Sequence, residues 1–92
     1  MLFSFPFFGR PEFTLANTKI PLDVIFLRTV MNSLFAGPQV TARVISIISV
    51  AARDPEPVAA EEPYDLVLEV YRGDAARVGI KVGGDLCITG ES

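Results

Sequence analysis

Residues 66–92, LVLEVYRGDAARVGIKVGGDLCITGES, leave the chain the least freedom of fold. Leu66, Leu68 and Val70 alternate with Val67, Glu69 and Tyr71, the period-two pattern of a strand with one buried face. Arg72-Gly73 breaks that strand. Asp74 is placed to cap a short helix, because a carboxylate can accept the free N–H groups of the turn that follows. Ala75 and Ala76 favour helix and allow close packing. Gly79 suits a left-handed position after that turn, which a residue with a Cβ resists. Ile80 is an apolar anchor. Gly83-Gly84-Asp85 signals a tight turn, and Leu86 and Ile88 belong to a returning strand that Gly90 ends.

The order Gly73-Asp74-Ala75-Ala76, Gly79-Ile80-Lys81-Val82-Gly83, Asp85-Leu86, Ile88 and Gly90 resembles part of a PDZ domain. Members of that family carry a strand, Gly-(Ser/Asp)-Pro-Ala-Ala, a Gly-(Leu/Ile)-Lys-x-Gly-Asp turn, a second strand and Asn-Gly. Here the Pro is absent, Gly84 separates the turn glycine from Asp85, the last strand is short, and Thr89 stands in place of Asn. The resemblance covers residues 66–92 only. It implies a module that holds a peptide C-terminus in a glycine-rich carboxylate loop, the peptide lying beside an edge strand and a helix. Residues 1–65 contain no Gly-Leu-Gly-Phe-type loop, and the groove helix would follow residue 92 in the usual order. The match therefore covers scaffold, and no peptide-binding residue is carried over.

At 92 residues the chain supports one small domain, residues 1–92, with a thin core. Half of its residues are hydrophobic and its mean hydropathy is +0.41, which favours either a partner that covers apolar surface or a compact domain built round an all-apolar helix. Residues 1–53 carry five basic and two acidic side chains (net +3), and residues 54–92 three basic and nine acidic ones (net −6). The overall charge of −3 and the scattered basic residues argue against nucleic acid, which demands a concentrated basic patch. Cys87 is the single cysteine, so it has no partner for an internal disulfide or a cysteine-based zinc site. Its apolar strand predicts a buried, inert thiol. The chain has no histidine, which excludes Cys-His and Ser-His-Asp arrangements.

Residues 1–9, MLFSFPFFG, hold four Phe and no charged side chain. They lack the basic region of a signal peptide and are too short to span a membrane. Two readings stand: an apolar tag for a partner or a membrane interface, or a segment folded onto the domain's own core. Residues 12–20 suggest a strand, with a turn or bulge at Asn17-Thr18. Pro21 opens a predicted helix over residues 21–36, with Asp23 in its first turn complementing the helix dipole. Leu22, Ile25, Phe26, Val30 and Leu34 form one apolar stripe, and Val24, Leu27, Met31 and Phe35 a second. A helix apolar on two faces is central or shared with a partner. Gly37-Pro38 ends it.

Residues 40–50, rich in β-branched side chains, read as a strand, with a second helix as the rival because Val40, Val44, Ile47 and Ile48 also fit helical spacing. Residues 54–63, entered from Arg53, form an acidic, proline-rich loop or linker, extended and solvated. Gly79, Gly83 and Gly84 lack the Lys-Ser/Thr of a phosphate-binding loop. Asp85 and Glu91 have no positioned partner legible in the sequence.

These readings predict an α+β fold, with one central apolar helix on a few-stranded, mostly antiparallel sheet and a PDZ-like C-terminal part. The resemblance points to a non-catalytic protein-interaction module. The alternative is a small accessory or structural subunit of a larger assembly, organellar or viral. The expected partner is a protein or a peptide C-terminus, without nucleic acid; membrane contact through residues 1–9 is left open. An intracellular or organellar site is favoured. No catalytic, cofactor-binding or metal-ligating residue is assigned, and no cofactor is expected.

Overall fold

The computed structural model describes residues 2–9, 19–33, 39–53 and 58–89. Five strands, β1 (Leu2–Gly9), β2 (Leu22–Ser33), β3 (Gln39–Val50), β4 (Tyr64–Tyr71) and β5 (Asp85–Thr89), accompany one short helix, α1 (Asp74–Arg77). The strands form a single antiparallel sheet in the order β1-β4-β2-β3-β5, curled into a half-barrel.

The expectation of an α+β fold with a central apolar helix is overturned, because the described part of residues 21–36 is almost entirely β2. The physical reason lies in its position. β2 pairs with β3 along one edge and β4 along the other, and both faces of this central strand are covered. Residues 23–27 are all buried as a result. Such a strand reads as a continuous apolar run, which periodicity alone cannot tell from a buried helix. Val24, Ile25, Phe26, Thr29 and Val30 are β-branched or aromatic, the composition that suits a pleated surface. Phe26 lies in the core as expected, but Val30 is 45% exposed. Leu34 and Phe35 lie outside the described residues. Residues 40–50 adopt the strand and not its helical rival.

Two irregularities in the β2–β3 ladder help to curl the sheet. Phe26 and Leu27 oppose Ser46 and Val44, which leaves Ile45 as an extra residue on β3. Thr29 and Met31 oppose Ala42 and Thr41, which leaves Val30 extra on β2. Each such bulge bends its strand and increases the local twist. Where β2 and β4 part company, the Thr29 N–H donates to Asp65 Oδ1 at 2.8 Å, so the backbone group still finds an acceptor.

Alternation along β2 sends side chains to two cores, one on each face. Val24 and Phe26 join Val50, Val58, Ala60, Tyr64 and Val67. Ile25 and Leu27 join Ala42, Val44, Leu66 and Ala75, with Ile80, Leu86 and Ile88 packed against them. Residues 54–63 are therefore not simply a solvated linker. Val58 and Ala60 are buried, while residues 54–57 lie outside the described part. The backbone of residues 2–9 joins the sheet as β1 on β4. Of the strand expected over residues 12–20, residues 12–18 lie outside the described part, and Lys19 and Ile20 form an exposed bend.

The connection from β4 to β5 follows the turn grammar of its sequence, with one correction. The residue capping α1 is Gly73, at φ 91°, and no side chain caps the helix. Asp74 is instead the first helical residue, paired with Arg77. Gly79 has φ 85° and Ile80 packs against the second core alongside Leu68 and Leu86. Gly83 and Gly84 face Val44 together: the Gly83 N–H donates to the Val44 carbonyl at 2.8 Å, and the Val44 N–H to the Gly84 carbonyl at 2.9 Å. The strands on either side of this connection are not neighbours, since β2 and β3 lie between them.

Gly79 provides a direct test of the turn. A Cβ built there meets nothing within 4 Å, so a side chain at this position costs only backbone strain. Gly79→Val is expected to lose about 1–3 kcal/mol in urea unfolding, the cost of a non-glycine residue held in a disfavoured region. A change within about 0.5 kcal/mol, ordinary for a surface substitution, would show that φ is not positive there.

Candidate functional site

The β4–α1 corner is built on one buried carboxylate. Asp23 sits in the apolar run of β2, 4% exposed, where a charge is tolerated only if it is hydrogen-bonded. Its Oδ1 accepts from Ser49 Oγ at 2.8 Å, across the β2–β3 pair. Its Oδ2 accepts from the Gly73 N–H at 2.9 Å. The Arg72 N–H donates to the Pro21 carbonyl at 3.2 Å. Three segments, the start of β2, the end of β3 and the turn after β4, are thereby fixed to one another. The sequence reading placed Asp23 at a helix start. In the sheet the same residue is a hub, and the signal available was an acid inside an otherwise apolar run of strand-forming residues.

Beside that corner a cleft of about 570 Å³ opens between the starts of β2 and α1 and the end of β4. Ile20, Leu22 and Val70 supply apolar wall, Glu69 and Asp74 supply carboxylates, and Tyr71 supplies a ring that is 63% exposed. Leu22 pairs with Tyr71 and Val24 with Glu69, so the side chains of Leu22, Tyr71 and Glu69 share one face of the sheet. Asp74 Oδ1 accepts from Arg77 Nε and Nη2 at 3.3 and 3.1 Å, an exposed pair. Glu69 lies against apolar neighbours, and desolvation by burial raises its pKa above the ordinary value of 4.5.

The sign of that shift gives a prediction. A carboxyl group whose pKa is higher folded than unfolded opposes folding when ionised. Its penalty is present at neutral pH and is relieved as pH falls through the folded pKa towards 4.5. Glu69→Gln should therefore be more stable than the parent chain at neutral pH, the difference shrinking as the pH approaches 4.5. Thermal unfolding of both proteins across that range measures it. A difference independent of pH would remove the burial effect.

A second, smaller cleft of about 300 Å³ lies between β3 and residues 59–62, lined by Ile45, Ser46, Ile48 and Glu61 among others. Asp85, unpartnered in the sequence reading, pairs with Arg43 at 3.1 Å across the β3–β5 ladder, both side chains about half exposed. Cys87, expected to be buried, is exposed. It follows Leu86 in β5 and so points to the face opposite the core that Leu86 packs against. Glu91 lies outside the described residues.

No group of three or more metal-ligating side chains occurs among the described residues. No helix among them is long and apolar enough to cross a membrane. The larger cleft brings together two carboxylates, one of them paired with Arg77, and a phenol against aliphatic wall. That set suits recognition of a cation carried on an apolar stem: the acids supply charge, and an exposed tyrosine ring presents a negative face to a cation. None of the cleft residues was singled out as a site from the sequence, where Glu69 and Tyr71 read as the outward half of an alternating strand.

Among known families, the profile of DUF192, described as an uncharacterized ACR, matches residues 1–88. No curated protein and no solved structure gave a significant match.

Proposed function

From the premise that the chain belongs to the DUF192 family, we propose that it is a non-catalytic protein-interaction module whose partner docks at the cleft formed by Leu22, Glu69, Tyr71 and Asp74. The observation that carries this reading is the cleft itself, an apolar trough with carboxylates, held by a corner whose buried polar groups are satisfied. The PDZ resemblance of residues 66–92 supports the same class of function, and it supplies no binding residue. The acids at this cleft set the sign of the partner. A peptide C-terminal carboxylate meets repulsion there, whereas a lysine or arginine side chain meets the Glu69 carboxylate and competes with Arg77 for that of Asp74. The acidic balance of the whole chain, net −3, steers a basic partner in the same direction.

The accessory-subunit alternative rests on an apolar helix and on the Phe-rich residues 1–9; the described part of the first is a strand of the sheet, and the backbone of residues 2–9 is β1 of that same sheet. No feature of the cleft favours that alternative.

The test is an NMR titration of the isotope-labelled chain with three matched peptide sets: free C-terminus, amidated C-terminus, and amidated with a central lysine. The amidated lysine peptides should shift the Tyr71 and Asp74 amides, and Glu69→Gln should weaken them. Added salt should weaken them too, because the attraction is screened. A preference for free carboxylates, or the absence of any shift at this cleft, would reject the reading.

A further inference from the structure

The two edges of the sheet are not alike. At one edge β1 carries Pro6, which has no N–H to offer, and its register with β4 breaks between Ser4 and Gly9. Proline and irregular register are devices that keep an edge from pairing with another chain. At the other edge β5 pairs with β3 in unbroken register from Asp85 to Thr89. It contains no Pro, Gly or Lys, and among the described residues nothing pairs with its outer side. Each strand at a sheet edge leaves a row of backbone donors and acceptors to be satisfied from outside.

We infer that β5 pairs antiparallel with β5 of a second copy of this chain, about a two-fold axis at Cys87, to give one sheet continuous through both copies. The occupant follows from the strand's own pattern. Asp85-Leu86-Cys87-Ile88-Thr89 reads polar, apolar, Cys, apolar, polar in either direction. Pairing centred on Cys87 sets Leu86 opposite Ile88 of the other copy and Asp85 opposite Thr89. The apolar pairs then extend the core that already holds Leu86 and Ile88 in part-buried positions, as aliphatic cross-strand pairs do. No like charges meet, and Asp85 keeps Arg43 within its own copy. Such an interface is isologous and closes at two subunits. A pairing centred on Asp85 would set two carboxylates face to face, which is destabilising.

Because Cys87 is exposed on the other face, it reports the register without carrying the interface. Directly opposed residues have Cβ atoms about 4.5–5.5 Å apart, close to the separation a disulfide spans. Diamide takes two electrons and two protons from a pair of thiols and leaves a disulfide.

Analytical ultracentrifugation of the chain in reducing buffer should show a dimer. Diamide should convert that dimer to a cross-linked species on a non-reducing gel, more completely than it cross-links a dilute, dissociated sample. Cys87→Ser should keep the dimer and lose the cross-link. Cys87→Lys changes an exposed side chain and sets two ammonium groups opposite each other, so it should weaken the dimer several-fold, its fold checked by circular dichroism. A monomer in the parent chain at all concentrations would overturn the inference. A Cys87→Lys protein that dimerises as tightly as the parent would overturn it equally, by placing the interface elsewhere.

Discussion

Phe26→Ala should lower the unfolding free energy by about 3–5 kcal/mol, the range for truncating a buried aromatic side chain. Phe26 is fully buried near the middle of the central strand, and its ring meets that of Tyr64 edge-on, with centroids 4.7 Å apart. An aromatic pair of this geometry contributes roughly 0.5–1.5 kcal/mol beyond the area it buries. Truncation also opens a void between β2, β4 and the Val58–Ala60 segment, which cannot close without moving a strand that is paired on both edges. Small domains have total stabilities of about 5–15 kcal/mol, so the variant sits close to unfolding. Phe26→Leu is the milder companion and should cost less than about 1.5 kcal/mol if the site repacks. Urea unfolding of the two variants measures both. A loss under about 0.5 kcal/mol for Phe26→Ala would put the ring at the surface and the strand in the wrong register.

Asp23→Ala should cost about 2–4 kcal/mol, and Asp23→Asn distinctly less. The alanine variant removes the acceptor of both the Gly73 N–H and the Ser49 hydroxyl, and a hydrogen bond to a charged group contributes about 1.5–3 kcal/mol, lessened here because both donors lie on exposed residues that water can reach. Asparagine can still accept from the Gly73 N–H with its carbonyl, while its NH₂ donates to Ser49 Oγ once that hydroxyl turns round. The gap between the two substitutions separates a hydrogen-bonding role from a packing one. Asp23→Ala should also broaden or shift the amide resonances of Arg72, Gly73 and Asp74, because the turn loses its tie to β2. Equal losses for Ala and Asn would leave the carboxylate with no special part in holding the corner.

Local grammar was legible where one residue type answers one local demand. Gly79 and Gly83 fall at positive φ because that backbone excludes most side chains, and no distant contact is needed to know it. The strands β4 and β5 showed themselves through alternation and bounding turns, and β3 through β-branched residues, with a helical rival that only its pairing with β2 and β5 removes. The fate of residues 21–33 was not legible, because a strand covered on both faces and a buried helix present the same apolar run. Only the pairing of β2 with both β3 and β4, contacts made across long stretches of chain, selects the strand. Asp23 followed the same rule. As a residue it is one acid near a proline, and as a site it is the meeting point of Ser49 and Gly73, 26 and 50 positions away. The exposure of Cys87 and the cleft at Glu69 and Tyr71 likewise depend on which face of the sheet acquires a cover. Sequence by itself determined the glycine turns between β4 and β5 and the strand character of those two strands. Tertiary structure decided which apolar run is central, which acid is buried and which strands lie at the edges of the described sheet, because each depends on partners that only the folded chain brings together.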